Sequence, residues 1–288
     1  MDDSLVRRWN ETAITRGVHV EFGTYQTLLV EQQGNALLVT INQPESLNAL
    51  AAAVVEDLYA LTTVLSSIGT DAAWPVRGVI ITGSGDKAFV AGANIVEMNS
   101  MDPESAAAYG RRMHEVTLAL EALPVPVIAA VNGFALGGGC ELAMACDFLY
   151  ASVNASFGQP EVNLGLVPGF GGSVRLQRRV GIGMARELIY TGRRIKSAEA
   201  LRIGLINQVF DDIPALLAGA RKTIDEIASK APTAVANVKD AINEIAELNV
   251  VDGLEAEVRS FMKAFATQDS VEGRNAFVAK RAPEFPGN

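Results

Sequence analysis

Cysteine and histidine are nearly missing from this chain, two of each among 288 residues. Cys140 and Cys146 cannot build a disulfide framework. With only His19 and His114 beside them, at no ligand spacing, they cannot supply a four-ligand structural zinc site. Both cysteines sit in an apolar, small-residue stretch, as buried reduced thiols do. Cationic excess is lacking as well: 24 Lys and Arg stand against 33 Asp and Glu, a formal net charge of −9. An acidic surface repels phosphate backbones, which argues against nucleic-acid binding but permits an anionic ligand at one pocket. No apolar run reaches the ~18 residues that would mark a membrane span. The charged start MDDSLVRRWNE has no apolar core of signal-peptide length. The expectation is a cytoplasmic protein with no membrane partner. Nucleotide and hydrolase signatures are absent too. No GxGxxG follows the first strand, GSGDKA at 83–88 fails that spacing at residue 88, and neither GK[ST] nor GxSxG occurs.

What is present is material for a large core: 49% of residues are hydrophobic and 20% charged, which excludes a disordered chain. Residues 1–22 are mixed and polar and are expected to form an N-terminal extension. Residues 28–30 and 36–41 read as strands around the turn Gln33-Gly34-Asn35. Asn48 is a candidate cap for a helix carrying Leu50, Val54, Leu58, Leu61 and Leu65 at helical spacing. A strand at 79–81, a helix at 103–122, a strand at 126–131, a helix at 141–146 and a strand at 148–151 continue the alternation. Helices at 183–191 and 196–203 precede a strand at 205–210. Alternating strands and helices predict an α/β core with parallel pairing, over residues 23–211. From 212 to 288 the pattern is helical, over 213–229, 232–247, 251–267 and 269–281. Pro232 interrupts the first two of these helices, and Asp269 is a candidate cap for the last. His114, in RRMHE, falls on a charged helix and is expected at the surface.

The chemistry concentrates in residues 131–172, VNGFALGGGCELAMACDFLYASVNASFGQPEVNLGLVPGFGG. Gly137, Gly138 and Gly139 follow a buried strand and precede a small-residue helix. N–H groups at a helix start are unpaired and carry positive partial charge, and glycine lets a ligand approach them. Taken alone, the triplet would equally serve tight strand–helix packing. Glu141 follows inside an apolar run, where burial should raise its pKa toward the range useful for acid/base work. Its other reading is a first-turn acid favoured by the helix dipole. Glu161, in FGQPEVNLG, is a second carboxyl, alternatively a solvated loop acid. Hydration of a C=C bond needs one group to activate water and one to protonate carbon, and two carboxyls can do both. AFVAGANI, residues 88–95, is a second glycine-centred turn into a helix that would add a backbone donor.

Together AFVAGANI, NGFALGGGCELAMACD, FGQPEVNLGLVPGFGG and the C-terminal VEGRNAFVAKR resemble the enoyl-CoA hydratase (crotonase) family, in its order and spacing, over roughly residues 25–285. The resemblance implies an α/β fold, a spiral of repeated ββα turns with a helical C-terminal region. It implies reversible syn addition of water to a trans-2-enoyl-CoA, as in fatty-acid β-oxidation, giving a 3-hydroxyacyl-CoA. By that resemblance Glu141 activates the water and Glu161 protonates the α-carbon. The N–H groups of Ala93 and Gly138 form the oxyanion hole, and Gly169 offers a backbone donor to the water. Ala91, Ala93, Asn94, Ile95 and Val96 line the acyl-CoA site, while Phe277 and Lys280 approach the CoA nucleotide, of a neighbouring subunit in some arrangements. The family assembles as trimers paired into hexamers. It needs no metal and no separate cofactor, because CoA enters as part of the acyl-CoA substrate. Where hydratases often read Gly-Ala-Asp, this chain has Gly92-Ala93-Asn94; Asn still caps a helix, but any role needing negative charge at 94 is in doubt. Having both glutamates favours a hydratase over the family's double-bond isomerases, which often keep one. VGIGMARELIYTGRRIKSAEALRIGLINQV also resembles short-chain 3-hydroxyacyl-CoA dehydratases. A non-enzymatic RNA-binding member is a further alternative, since residues 171–203 carry eight Lys and Arg against two acids. A solvated helix face accounts for those charges equally.

Overall fold

A computed structural model describes residues 22–288. The expected extension at 1–22, with His19, lies outside the described residues except for Phe22, which is buried in the core. The chain opens with a hairpin of β1 (Leu28–Gln33) and β2 (Ala36–Ile41), paired antiparallel from Leu28↔Ile41 to Gln33↔Ala36. Helix α1 (Ala52–Leu65) then buries Val54, Leu58, Leu61 and Leu65 at the predicted spacing. Asn48 does not cap it; the helix begins after Ala51, and its first N–H, that of Ala52, donates to Glu97 Oε2 at 3.0 Å. Asn48 is instead fully buried at φ 58°. Its side-chain oxygen accepts from the Gln43 N–H, and its nitrogen donates to the Ser84 and Ala88 carbonyls. An amide that bonds in several directions is worth more inside the fold than at a helix end.

Two sheets follow. The larger takes β3 (Gly78–Gly83), β5 (Val127–Val131), β7 (Phe148–Ser152) and β10 (Gln208–Phe210), in the order β1-β2-β3-β5-β7-β10, parallel from β2 onward. The smaller orders β4 (Ala88–Val90), β6 (Phe134–Leu136), β8 (Ser156–Gly158) and β9 (Ile195–Lys196). The chain enters the large sheet, crosses to the small one, and leaves in a helix, and it does so three times. The helices reached are α2 (Ile95–Met98) with α3 (Pro103–Glu121), then α4 (Gly138–Met144), then α5 (Gly172–Val180) with α6 (Ile182–Thr191). These are the ββα turns that the resemblance implies. Their consequence for function is geometric: successive β-to-α turns stack at one end of the small sheet.

After α7 (Ser197–Arg202) and β10, helix α8 (Ile213–Ala228) covers the outer face of the large sheet, where Leu216, Ala220 and Ile224 pack on Ile80, Ile128 and Ala130. With helices on both faces, β3 and β5 are buried at every residue, which is why they read as unbroken apolar runs. The last strand is Gln208–Phe210, shorter than the expected 205–210, because Leu205 and Ile206 turn into the core ahead of it. Helices α9 (Pro232–Ile245), α10 (Val250–Phe265) and α11 (Gln268–Ala279) complete the chain. Thr267, not Asp269, caps α11. Asp269 is buried and accepts from Thr233 Oγ1 at 2.7 Å and the Gly287 N–H at 2.7 Å, tying the C-terminal tail to α9. Buried Lys239 of α9 reaches Asp147 Oδ2 at 2.8 Å and the Leu120 and Val125 carbonyls, fastening the helical region to the core. His114 is exposed, as expected. Among the described residues no helix is long and apolar enough to cross a membrane.

Candidate active site

The turn from β6 into α4 carries the glycine triplet. Gly137 caps α4 at φ 50°, in the left-handed region that favours glycine. A Cβ on Gly138 would stand 2.7 Å from the Phe170 ring, and one on Gly139 would stand 2.0 Å from the Val90 carbonyl. The triplet therefore does serve tight packing, and the same packing seats the next residue, Glu141. Every residue of α4 is buried, Glu141 to 1% exposure. Its Oε1 accepts the N–H of Phe170 at 2.8 Å and of Gly172 at 2.7 Å. Burial raises the Glu141 carboxyl above its ordinary value, while those two N–H groups and Arg175 oppose the rise. Arg175 forks onto Glu121, at 2.6 and 3.0 Å, and donates to the Phe170 carbonyl at 3.2 Å. Phe170, Gly172 and Arg175 escaped the sequence reading; the GFGG turn just before an arginine-bearing helix was the available signal.

Glu161 opens a single 3-10 turn, Glu161–Leu164, and is half-buried. The buried side-chain amide of Gln159 stands against the Glu161 carboxyl, within hydrogen-bonding distance of both its oxygens. Burial, reinforced by the negative charge of Glu141 and opposed by its own backbone N–H, pushes Glu161 up to about 7. Burial thus raises both carboxyls, but they differ in what opposes it: Glu141 accepts two backbone N–H bonds from another turn and stands near Arg175, whereas Glu161 has only its own backbone N–H against the rise. Cys140, beside both, is pushed up to about 12 by burial and then by the two carboxylates, so it stays a thiol. Cys140 and Cys146 are both free and buried, as expected.

Glu141 and Glu161 line one cavity of about 160 Å³. Ala91, Ala93, Ile95, Gly138 and Gly169 line it too, and Met98, Leu136, Leu164 and Phe170 make its apolar wall. Among the described residues the N–H groups of Ala93 and Gly138 donate to no protein acceptor. Asn94 and Val96 lie off the cavity wall. Asn94 caps α2, accepting from the Val96 and Glu97 N–H groups and donating to Glu97 Oε1 at 2.9 Å. Val96 is 86% exposed. Phe277, 85% exposed, and Lys280, just beyond α11, are likewise not brought to the cavity within one chain. The basic segment 171–203 is largely engaged within the fold: Arg175, Arg178, Arg193 and Arg202 pair with glutamates, and Arg179 donates to the Met144 and Cys146 carbonyls.

Known proteins share this architecture. The sequence profile of the enoyl-CoA hydratase/isomerase family matches residues 31–288. A short-chain-enoyl-CoA hydratase of Clostridium acetobutylicum is 46% identical over 257 residues, 89% of this chain and 96% of the relative. A crotonyl-CoA hydratase of Syntrophomonas wolfei is 44% identical over 261 residues, 91% of this chain and 98% of the relative. The crystal structure of an enoyl-CoA hydratase from Bacillus anthracis superposes with a TM-score of 0.86 at 38% identity, covering 91% of this chain and all of that one.

Proposed function

The chain belongs to the enoyl-CoA hydratase/isomerase family, and on that premise we propose that it adds water reversibly across the double bond of a trans-2-enoyl-CoA to give the 3-hydroxyacyl-CoA. The observation that carries this reading is the meeting of two carboxyls, both raised by burial, in one apolar cavity beside two unengaged N–H groups.

The residues act as follows. Ionised Glu141 takes a proton from water as the water oxygen bonds to C3 of the enoyl group. The C2–C3 π electrons shift toward the thioester, and the oxygen that gains charge is held by the N–H groups of Ala93 and Gly138. Negative charge grows there only during reaction, so these donors stabilise the transition state more than the substrate. Glu161 then donates its proton to C2. One proton has moved from water to Glu141 and one from Glu161 to carbon, so exchange between the carboxyls restores the starting state. Syn addition needs both groups on one face of the planar enoyl unit, and both line the same cavity. Gly169 supplies a backbone donor to the water. Base, acid and oxyanion donors complete the reaction without a metal or a separate cofactor.

A short acyl chain suits the cavity, whose volume of about 160 Å³ is below the ~300–1,000 Å³ usual for drug-sized ligands. Two relatives bear short-chain and crotonyl-CoA in their names. We also read the enzyme as a homotrimer or a hexamer of paired trimers. Helix α10 leaves Leu254, Val258, Phe261, Met262 and Phe265 each at least half exposed, a cluster of apolar side chains of the kind that marks a protein–protein contact. Assembly would give Phe277 and Lys280 a place near CoA across the subunit boundary. Free buried thiols fit a reducing compartment such as the cytoplasm.

Hydration of crotonyl-CoA, followed by loss of the conjugated enoyl-thioester absorbance, tests the reading. Glu141→Gln and Glu161→Gln should each lower kcat by about 10²–10⁴-fold with folding retained. Near-normal turnover in either variant would remove its assigned role.

A further inference from the structure

Tyr109, on α3, contacts none of the reacting groups, yet it touches the elements that carry three of them. Its hydroxyl donates to the Leu50 carbonyl. Its ring stands edge-on to Phe170, with centroids 5.0 Å apart and planes at 86°. Leu50 is fully buried and paired with the turn that ends at Ala93: its N–H donates to the Gly92 carbonyl at 2.8 Å, and its own carbonyl accepts the Asn94 N–H at 3.3 Å. The carbonyl of Gly92 and the N–H of Ala93 belong to one planar trans peptide and point in opposite directions. Fixing the Gly92 oxygen on Leu50 therefore turns the Ala93 N–H away from Leu50, on the side where Ala93 lines the cavity. On the other side of Tyr109, Phe170 gives its N–H to Glu141 and lays its ring against Gly138.

We propose that Tyr109 is a positioning residue: through Leu50 it holds the Gly92–Ala93 peptide in line with the reacting thioester oxygen, and through Phe170 it braces Glu141 and Gly138. The assignment rests on the reading of Ala93 and Gly138 as the oxyanion donors. Oxyanion catalysis depends on donors held in place before charge develops, and those two donors come from separate turns. A side chain wedged between the turns keeps their spacing constant. The hydroxyl stays a donor at any working pH, because burial and then the charge of Glu97 drive its ionisation well above the ordinary phenol value.

Tyr109→Phe removes one oxygen and keeps the ring; Tyr109→Leu removes the edge contact as well. Small misplacements away from the reacting atoms can cost up to ~10²-fold in rate. Tyr109→Phe should therefore lose about tenfold in kcat, with KM for crotonyl-CoA within about twofold. A second readout needs no turnover: acetoacetyl-CoA bound in the site forms an enolate whose oxygen takes the oxyanion position, and its ultraviolet absorbance reports the enolate fraction. Tyr109→Phe should reduce the bound enolate-to-ketone ratio by about the same factor as kcat, and Tyr109→Leu by more, with melting curves showing both proteins folded. Folded Tyr109→Phe with wild-type kcat overturns the proposal. So does a loss of kcat with an unchanged enolate ratio, which would reduce Tyr109 to a packing residue. Wild-type enzyme that hydrates crotonyl-CoA but never enriches the bound enolate would instead overturn the oxyanion reading on which the proposal rests.

Discussion

The pH dependence of kcat/KM follows from how the two carboxyls share protons. Hydration starts from ionised Glu141 and protonated Glu161; dehydration starts from the reverse arrangement. Each state carries one proton on the pair, so both directions should follow the same bell-shaped profile. On the basic side the pair loses its last proton, and the burial that pushes Glu161 up to about 7 sets that limb. The protonated fraction falls from about 0.9 at pH 6 to about 0.1 at pH 8, so kcat/KM should drop about tenfold for each unit above 7. Stability should show the same group. A carboxyl raised from 4.5 to about 7 binds its proton more tightly in the folded than in the unfolded chain. Its stabilising contribution is full below pH 4.5 and is lost as pH rises through about 7. The whole shift applies only to a group sealed from water. Half-buried Glu161 should therefore account for about 1–2 kcal/mol between pH 4.5 and 8. Glu161→Gln should accordingly be more stable than wild type at pH 8, by a few degrees of melting temperature, and lose that advantage at pH 5. It should also lack the basic limb in its residual activity. The assays are crotonyl-CoA hydration from pH 5.5 to 9 and thermal melting from pH 5 to 9. A basic limb that persists near 7 in Glu161→Gln would assign it to another group and refute the reasoning.

Gly138→Ala keeps the N–H yet places a Cβ 2.7 Å from the Phe170 ring, so it should lower kcat at least about tenfold by shifting the residue that holds Glu141; wild-type kinetics in this variant would show that the ring gives way freely. Lys239→Met strips Asp147 of its buried partner at 2.8 Å and should cost roughly 2–4 kcal/mol in urea unfolding, the double variant Lys239→Met/Asp147→Asn losing less; equal losses in both would mean that the charge is not what matters. Asn94→Asp sets a second carboxylate on Glu97, where the amide now donates at 2.9 Å. Two like charges raise each other's pKa, so the variant's stability should fall as pH rises from 4 to 8, by about 1–2 kcal/mol relative to wild type. A pH-independent difference in melting temperature would count against that repulsion.

Some of this protein is written along the chain and some arises only when distant segments meet. Strands β3 and β5 were legible as unbroken apolar runs, because both their faces are buried, and helix α1 was legible because its apolar periodicity records which face is buried. Glu141 was legible as a candidate because a carboxyl in an apolar run conflicts with its surroundings unless it has work to do; Glu161, equally readable as a solvated loop acid, was legible through the resemblance carried by FGQPEVNLGLVPGFGG. The small sheet was not legible: its strands are two or three residues long, too short for any period. Asn48 and Asp269 were read as caps because local sequence prices only local hydrogen bonds, whereas the fold offered each of them partners far along the chain. The electrostatic setting of the two carboxyls is likewise a tertiary result. It depends on the N–H groups of Phe170 and Gly172, 29 and 31 residues beyond Glu141, and on how much water the fold leaves at Glu161. Residue type and spacing along the chain determined which groups were available for the chemistry; burial and backbone donors, set by the packing of three β-to-α turns, decided how each carboxyl is shielded from water and what it bonds.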